Sequence, residues 1–329
     1  MAQEIIQCER MGINPKWPKY KKIAASFNLS DRSYEDMQLA NIREYISRED
    51  ANRPPEQIPN RRNITHGSFD MLSRGRVSRA LALAPDTPDW LNDAAHWLRY
   101  YQVSQMQKFF WHHRFNILFP NHPNGGLFSF SMEAAANMMA VMAILGWKDA
   151  VLYQGYLTHA ALNRSYQLQL QYEEEHRRAQ AFMLRLFADW VGDVSHQWPA
   201  YAYDEPIYET LLAHWRTPDP QDLVPCLLAA CDRHTHSSGK NTLKKFYDFS
   251  ENNDLYRVPV GILHLFRLRE WEGLKNPVLD HPLMAPPFDQ LLPEQPVPEL
   301  DELMQGILKR AREDWPQYDE VLSLRALMS

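Results

Sequence analysis

The apolar positions of this chain recur three and four residues apart over most of its length, and runs of alternating β-branched residues are almost absent. That spacing lines one face of a helix and predicts an all-α protein. Leu91, Ala94, Leu98, Tyr101, Phe109 and Ile117 keep it between Trp90 and Phe119. In front of them, Thr87-Pro88-Asp89 offers a capping hydroxyl, a first-turn proline and an acid for the positive end of the helix dipole. The run from Pro120 to Gly126 ends this helix in a loop. Met132, Ala135, Ala136, Met139 and Met142 then predict a helix that stops near Gly146, and Trp147-Lys148-Asp149-Ala150 opens its partner. The small residues of this hairpin let its two helices approach closely. A longer helix is predicted from Gln167 to Trp190, with Leu168, Tyr172, Ala179, Phe182, Met183 and Leu186 facing inward. Further helices are predicted near 206–215, 219–233, 242–249, 259–272, 299–313 and 318–327.

The expected architecture is a multi-helix bundle of packed helical hairpins. Seven prolines within 277–298 exclude a helix there and predict a semi-rigid strap lying on the surface. An exposed linker from Arg53 to Asn63 and a break at Pro85–Pro88 suggest an N-terminal helical subdomain with exposed linker over 1–85 and a main helical domain over 86–329. One short pattern occurs three times, as Trp17-Pro18-Lys19-Tyr20, Trp198-Pro199-Ala200-Tyr201 and Trp315-Pro316-Gln317-Tyr318, at unequal separations. Proline blocks a preceding helix, and the two aromatics supply packing surface with a polar edge, so the pattern reads as a junction device.

Composition narrows the class. At 329 residues, 45% of them hydrophobic, the chain can bury a large core. The start, MAQEIIQCERMG, lacks the basic and apolar regions of a secretory signal, and the apolar run Met132–Trp147 is too short to cross a bilayer. A cytoplasmic protein without a membrane span is expected. Cys8, Cys226 and Cys231 form no C-x-x-C pair, so buried reduced thiols are expected rather than a disulfide framework or a zinc ribbon. The net charge of −6 is uneven: residues 1–85 hold 14 Lys and Arg against 10 Asp and Glu, and the rest hold 21 against 31. An acidic main body repels phosphate and attracts basic proteins, so direct nucleic-acid binding is not expected.

The sequence carries no G-x-S-x-G elbow, no G-x-x-x-x-G-K-[ST] loop, no H-E-x-x-H and no G-x-G-x-x-G after a strand. Glu173-x-x-His176 has the spacing of a di-iron motif but no second copy, and Glu173 and Glu174 stand four residues before Arg177 and Arg178, as helical ion pairs do. Cys231, His234 and His236 lack a fourth ligand of zinc-like spacing, and the histidines suit a helix C-terminus. His112-His113 reads as packed. No catalytic residue, metal site or cofactor is therefore expected. A metal-dependent helical enzyme around Glu173, His176 or His234 and a helical-repeat adaptor remain as other readings.

The stretch Asp248-Phe249-Ser250-Glu251-Asn252-Asn253-Asp254-Leu255-Tyr256 mixes acids, aromatics and amides, a combination that suits a protein interface. Asp248, Glu251, Asp254 and Tyr256 are the candidate partner-binding residues. The glycine turn and terminal glutamate of an EF-hand are missing, which argues against a calcium loop.

Tyr256-Arg257-Val258-Pro259-Val260, Leu263-His264-Leu265-Phe266-Arg267-Leu268-Arg269, Glu272-Gly273-Leu274-Lys275-Asn276-Pro277 and Asp280-His281-Pro282-Leu283-Met284 resemble helical bacterial immunity proteins of type VI and other polymorphic nuclease toxins, similar to the PoNi-like and TsiT-like groups. The local pattern covers 248–325 and the general style 95–325. The resemblance implies an antitoxin that binds a cognate protein toxin, a nuclease, and blocks or distorts its active site. Interface residues vary within such families, so the resemblance assigns none.

Overall fold

A computed structural model describes residues 6–27, 33–47, 58–118, 130–163, 168–169, 177–193, 196, 198–250 and 255–329. Among these residues the chain forms α1 (Tyr20–Phe27), α2 (Ser33–Ser47), α3 (Ile58–Ala82), α4 (Trp90–Leu118), α5 (Met132–Ile144), α6 (Lys148–Asn163), α7 (Arg178–Val191), α8 (Pro206–His214), α9 (Val224–His236), α10 (Val260–Trp271), α11 (Glu302–Asp314), α12 (Tyr318–Val321) and α13 (Leu324–Leu327). The two-residue strands β1 (Phe130–Ser131) and β2 (Leu168–Gln169) pair in parallel. The fold is all-α, as the spacing of apolar residues predicts.

The core is organised around α5, every residue of which is buried. A helix buried on all sides needs neighbours all round, and α5 packs against α6, α7 and α10. Ser131 accepts the Ala134 N–H to cap its start, at 3.2 Å. It ends at Gly146, whose φ of 79° lets the Gly146 and Trp147 N–H groups return to the Ala143 and Met142 carbonyls, both at 2.9 Å. The predicted hairpin follows, with Gly155 of α6 so close to Phe187 of α7 that a Cβ would come within 2.1 Å of the ring.

Two buried arginines of α10 tie the helix ends together. Arg267 donates to the Ala143 carbonyl at 3.0 Å, to Ile144 at 3.1 Å and to Leu292 at 2.5 Å, joining the end of α5 to the proline strap. Arg269 donates to the carbonyls of Trp215, Thr217 and Lys275. Each guanidinium satisfies several main-chain carbonyls at once, among them that of Ile144 at the end of α5. The strap runs where the prolines predict and is anchored by Gln295 N–H to the Leu145 carbonyl at 2.8 Å and Trp147 Nε1 to the Gln295 carbonyl at 3.0 Å.

All three Trp-Pro-x-Tyr segments sit at helix entries: Tyr20 opens α1, Ala200 opens a 3-10 turn to Tyr203, and Tyr318 opens α12. Tyr318 is fully buried and accepts from Gln107 at 2.9 Å, while Trp17 donates to the Tyr256 carbonyl at 2.7 Å.

Several expectations need correction. Residues 242–249 are not helical: the Thr242 hydroxyl accepts from Lys244 and Lys245, and Asn241 accepts from Tyr247, bonds that compete with helical ones. Of the predicted helix 167–190, α7 covers 178–190 and Leu168–Gln169 pairs with β1 instead, while 167 and 170–176 lie outside the described residues. The 318–327 helix divides at Ser323, which caps α13 by accepting from Ala326. The expected linker at 53–63 is helical from Ile58, where α3 begins, and a single hydrophobic cluster takes in Phe69, Val77 and Leu81 together with Trp90, Leu98 and α5 residues, so the core continues across residue 85. Finally, Cys8 and Cys226 are joined by a disulfide and only Cys231 is free, contrary to the three reduced thiols expected. Sequence spacing could not show this, since the two residues lie 218 positions apart. Tertiary folding lays the segment before α1 along α9, where Arg10 and the Gly12 N–H also bind Asp232.

Candidate functional site: an acidic aromatic face

The described residues of the stretch that the sequence points to as an interface, Asp248, Phe249, Ser250, Leu255 and Tyr256, are buried. Asp248 is 2% exposed and accepts the backbone N–H groups of Arg177 and Ala179 at the start of α7. It thus replaces the bonds missing at a helix N-terminus, beside Arg177 in a left-handed conformation. Tyr256 is also buried, and its carbonyl receives Trp17 and His234. Glu251 and Asp254 lie outside the described residues, as do Glu173 and His176.

The other candidates are structural in their surroundings. His234 is buried, stacks on Phe249 at 3.9 Å and meets the carbonyls of Leu255 and Tyr256 at 3.2 and 3.1 Å. Burial pushes its pKa down to about 3, so it is neutral at physiological pH. Burial pushes the Cys231 thiol up, the Asp232 charge assisting. His236 meets the Gly12 carbonyl at 3.1 Å, away from both. His112 is buried on α4. Among the described residues no group of three or more His, Cys, Asp or Glu is placed to hold a metal ion.

A different face combines the chemistry sought in the 248–256 stretch. Trp190 at the end of α7 and Trp271 at the end of α10 stack with ring centroids 5.2 Å apart and planes at 28°. Both are part-exposed. Trp190 Nε1 donates to Glu272 at 3.0 Å, and Trp271 Nε1 donates to Glu294 of the strap at 3.2 Å. These bonds set the indole orientations and hold two exposed carboxylates beside them. Lys148, at the start of α6, places its Nζ 5.7 and 5.8 Å from the two ring centroids, within cation–π reach. The face depends on Gly146, because a Cβ there would come within 2.9 Å of the Glu294 backbone. Helix ends from three parts of the chain therefore meet on one surface.

Aromatic contacts continue from it. Phe187 packs on Trp190 at 6.2 Å, Tyr156 at 5.7 Å and His159 at 5.4 Å. His159 stacks on His196 at 5.4 Å, and its Nδ1 lies 3.3 Å from Asp193 Oδ2. An Asp–His pair is a familiar acid–base arrangement, but this imidazole is 2% exposed beneath His196, Phe187 and Trp198. Burial lowers the pKa of His159, opposed by Asp193, and burial together with His159 lowers that of His196.

Sequence reading passed over Trp271 and treated Trp190 only as a helix terminus. The available signal was an aromatic residue at the end of each helix, one beside Gly192 and the other beside Glu272-Gly273. Nothing in the sequence indicated that the two rings meet.

Fold and face together define an all-α protein with an acidic, tryptophan-centred surface. No protein-family model, curated protein or solved structure matches the chain. No helix among the described residues is long and apolar enough to cross a membrane.

Proposed function

We propose that this chain is a binding protein that neutralises a basic protein toxin, a nuclease, as an immunity protein does, and that it engages the toxin through the Trp190–Trp271 face. The observation that carries the reading is the stacked, part-exposed tryptophan pair flanked by Glu272 and Glu294. Tryptophan is enriched among residues that dominate binding energy, and surrounding acids select and steer a basic partner. Lys148 over both rings illustrates the cationic chemistry the pair accommodates. The acidic balance of residues 86–329 supports the same partner class.

The test is rescue of cells expressing the toxin encoded beside this gene, combined with direct binding. Trp190→Ala with Trp271→Ala should weaken binding by at least 2 kcal/mol, about 30-fold, and abolish rescue. Glu272→Lys with Glu294→Lys should chiefly slow association. Folded variants that protect like the parent would remove this face, and failure of the parent against the linked toxin would remove the immunity reading. The cellular setting is tested by alkylating thiols in freshly lysed cells. Labelling of Cys8 and Cys226 supports the cytoplasm, whereas protection of both supports an oxidising compartment, where disulfides persist.

A further inference from the structure

A cleft of about 210 Å³ opens between α1, the end of α3, the segment before α10 and the proline strap. Its walls are apolar, including Ile23, Ala82, Val258, Pro286 and Phe288. Arg257 is the one basic side chain lining it.

The state of Arg257 is unusual. Its guanidinium stacks on Trp17 at 3.8 Å from the ring centroid and donates to the Pro18 carbonyl at 3.2 Å. Among the described residues it has no carboxylate partner, in contrast to Arg10, Arg178, Arg185 and Arg216. Burial lowers its pKa with no acid opposing the shift. The Tyr20 hydroxyl, which also lines the cleft, donates to Asp86 at 2.7 Å. A half-buried cation held rigidly by an aromatic ring, with donors to spare and apolar walls beside it, is complementary to an anionic head carrying an apolar body.

We infer that this cleft binds a small amphipathic carboxylate, its head on Arg257 and its body against Ile23, Ala82, Pro286 and Phe288. Size sets the class: a dry cavity of about 150 Å³ accepts benzene, so this cleft has room for one ring or a short alkyl chain plus a head group. The site is separate from the tryptophan face and does not depend on the toxin-binding proposal.

The experiment titrates the full chain with hexanoate and benzoate by calorimetry, using hexanamide, benzamide and acetate as comparisons. Saturable one-to-one binding of either carboxylate is expected, with the amides and acetate at least tenfold weaker. Charge-assisted hydrogen bonds contribute about 1.5–3 kcal/mol, so Arg257→Gln should weaken binding roughly 10- to 150-fold. Ala285→Leu, on the exposed strap side of the cleft, keeps Arg257 and should weaken the carboxylates at least fivefold by narrowing the space. If Arg257→Gln does not fold, Ala285→Leu decides alone. Absence of saturable binding, equal binding of hexanoate and acetate, or unchanged affinity in a folded variant would each overturn the assignment.

Discussion

His264 provides a test in which removing a polar side chain should make the protein stronger. It lies in α10, fully buried, and neither ring nitrogen has a hydrogen-bond partner among the described residues. Burial pushes its pKa down from 6.5 to about 3, so the folded protein holds it neutral. A buried polar group without a partner costs about 1–3 kcal/mol, and leucine would occupy much of the same space without that cost. His264→Leu should therefore gain about 1–3 kcal/mol at pH 7.5. The second consequence is in the pH dependence. Below pH 6.5 the unfolded chain takes up a proton at His264 that the folded chain refuses, so stability falls as pH falls toward 3. One such site contributes about 1.4 kcal/mol per pH unit, or about 2 kcal/mol by pH 5. His234 adds a similar loss, and His159, His196 and His281 shift in the same direction. Urea unfolding followed by circular dichroism at pH 7.5, 6.5, 5.5 and 4.5 measures both effects. The variant should be more stable throughout and should lose about one proton's worth of slope. A variant less stable than the parent at pH 7.5, or pH curves that run parallel, would refute the reasoning.

Two further perturbations probe how distant segments are held. Arg267→Met should cost about 3–5 kcal/mol, because the Ile144 and Leu292 carbonyls lose the arginine as donor and the Ala143 carbonyl loses one of its bonds, and calorimetry would expose the error if the melting temperature stayed within a degree or two. Cys8→Ser should destabilise by about 2–5 kcal/mol through release of a long loop, with intact-mass analysis after alkylation expected to find one blocked pair and one thiol in the parent; three alkylated cysteines would contradict the bond.

By itself, the sequence determined the helical class and most helix positions, because helix formation follows local apolar spacing, caps and breakers that leave a record within a few residues. The largely apolar α5, the turn at Gly146, the proline strap and the aromatic helix entries were legible for that reason. The end of the 167–190 prediction was sound, whereas Leu168 and Gln169 pair as a short strand with a segment about 40 positions earlier, which no local pattern records. The 242–249 error has a local cause, side chains of Asn241 and Thr242 that bond the backbone themselves. Tertiary structure alone decided which charged and aromatic residues face solvent. Asp248 and Tyr256 looked like surface chemistry but serve α7 and the segment before α1, whereas Trp190 and Trp271 looked like ordinary helix ends and meet outside. It also decided the Cys8–Cys226 bond and left Arg257 without a carboxylate partner among the described residues. Each depends on where segments distant in sequence come to rest, and side-chain identity and spacing alone carry no measure of that distance.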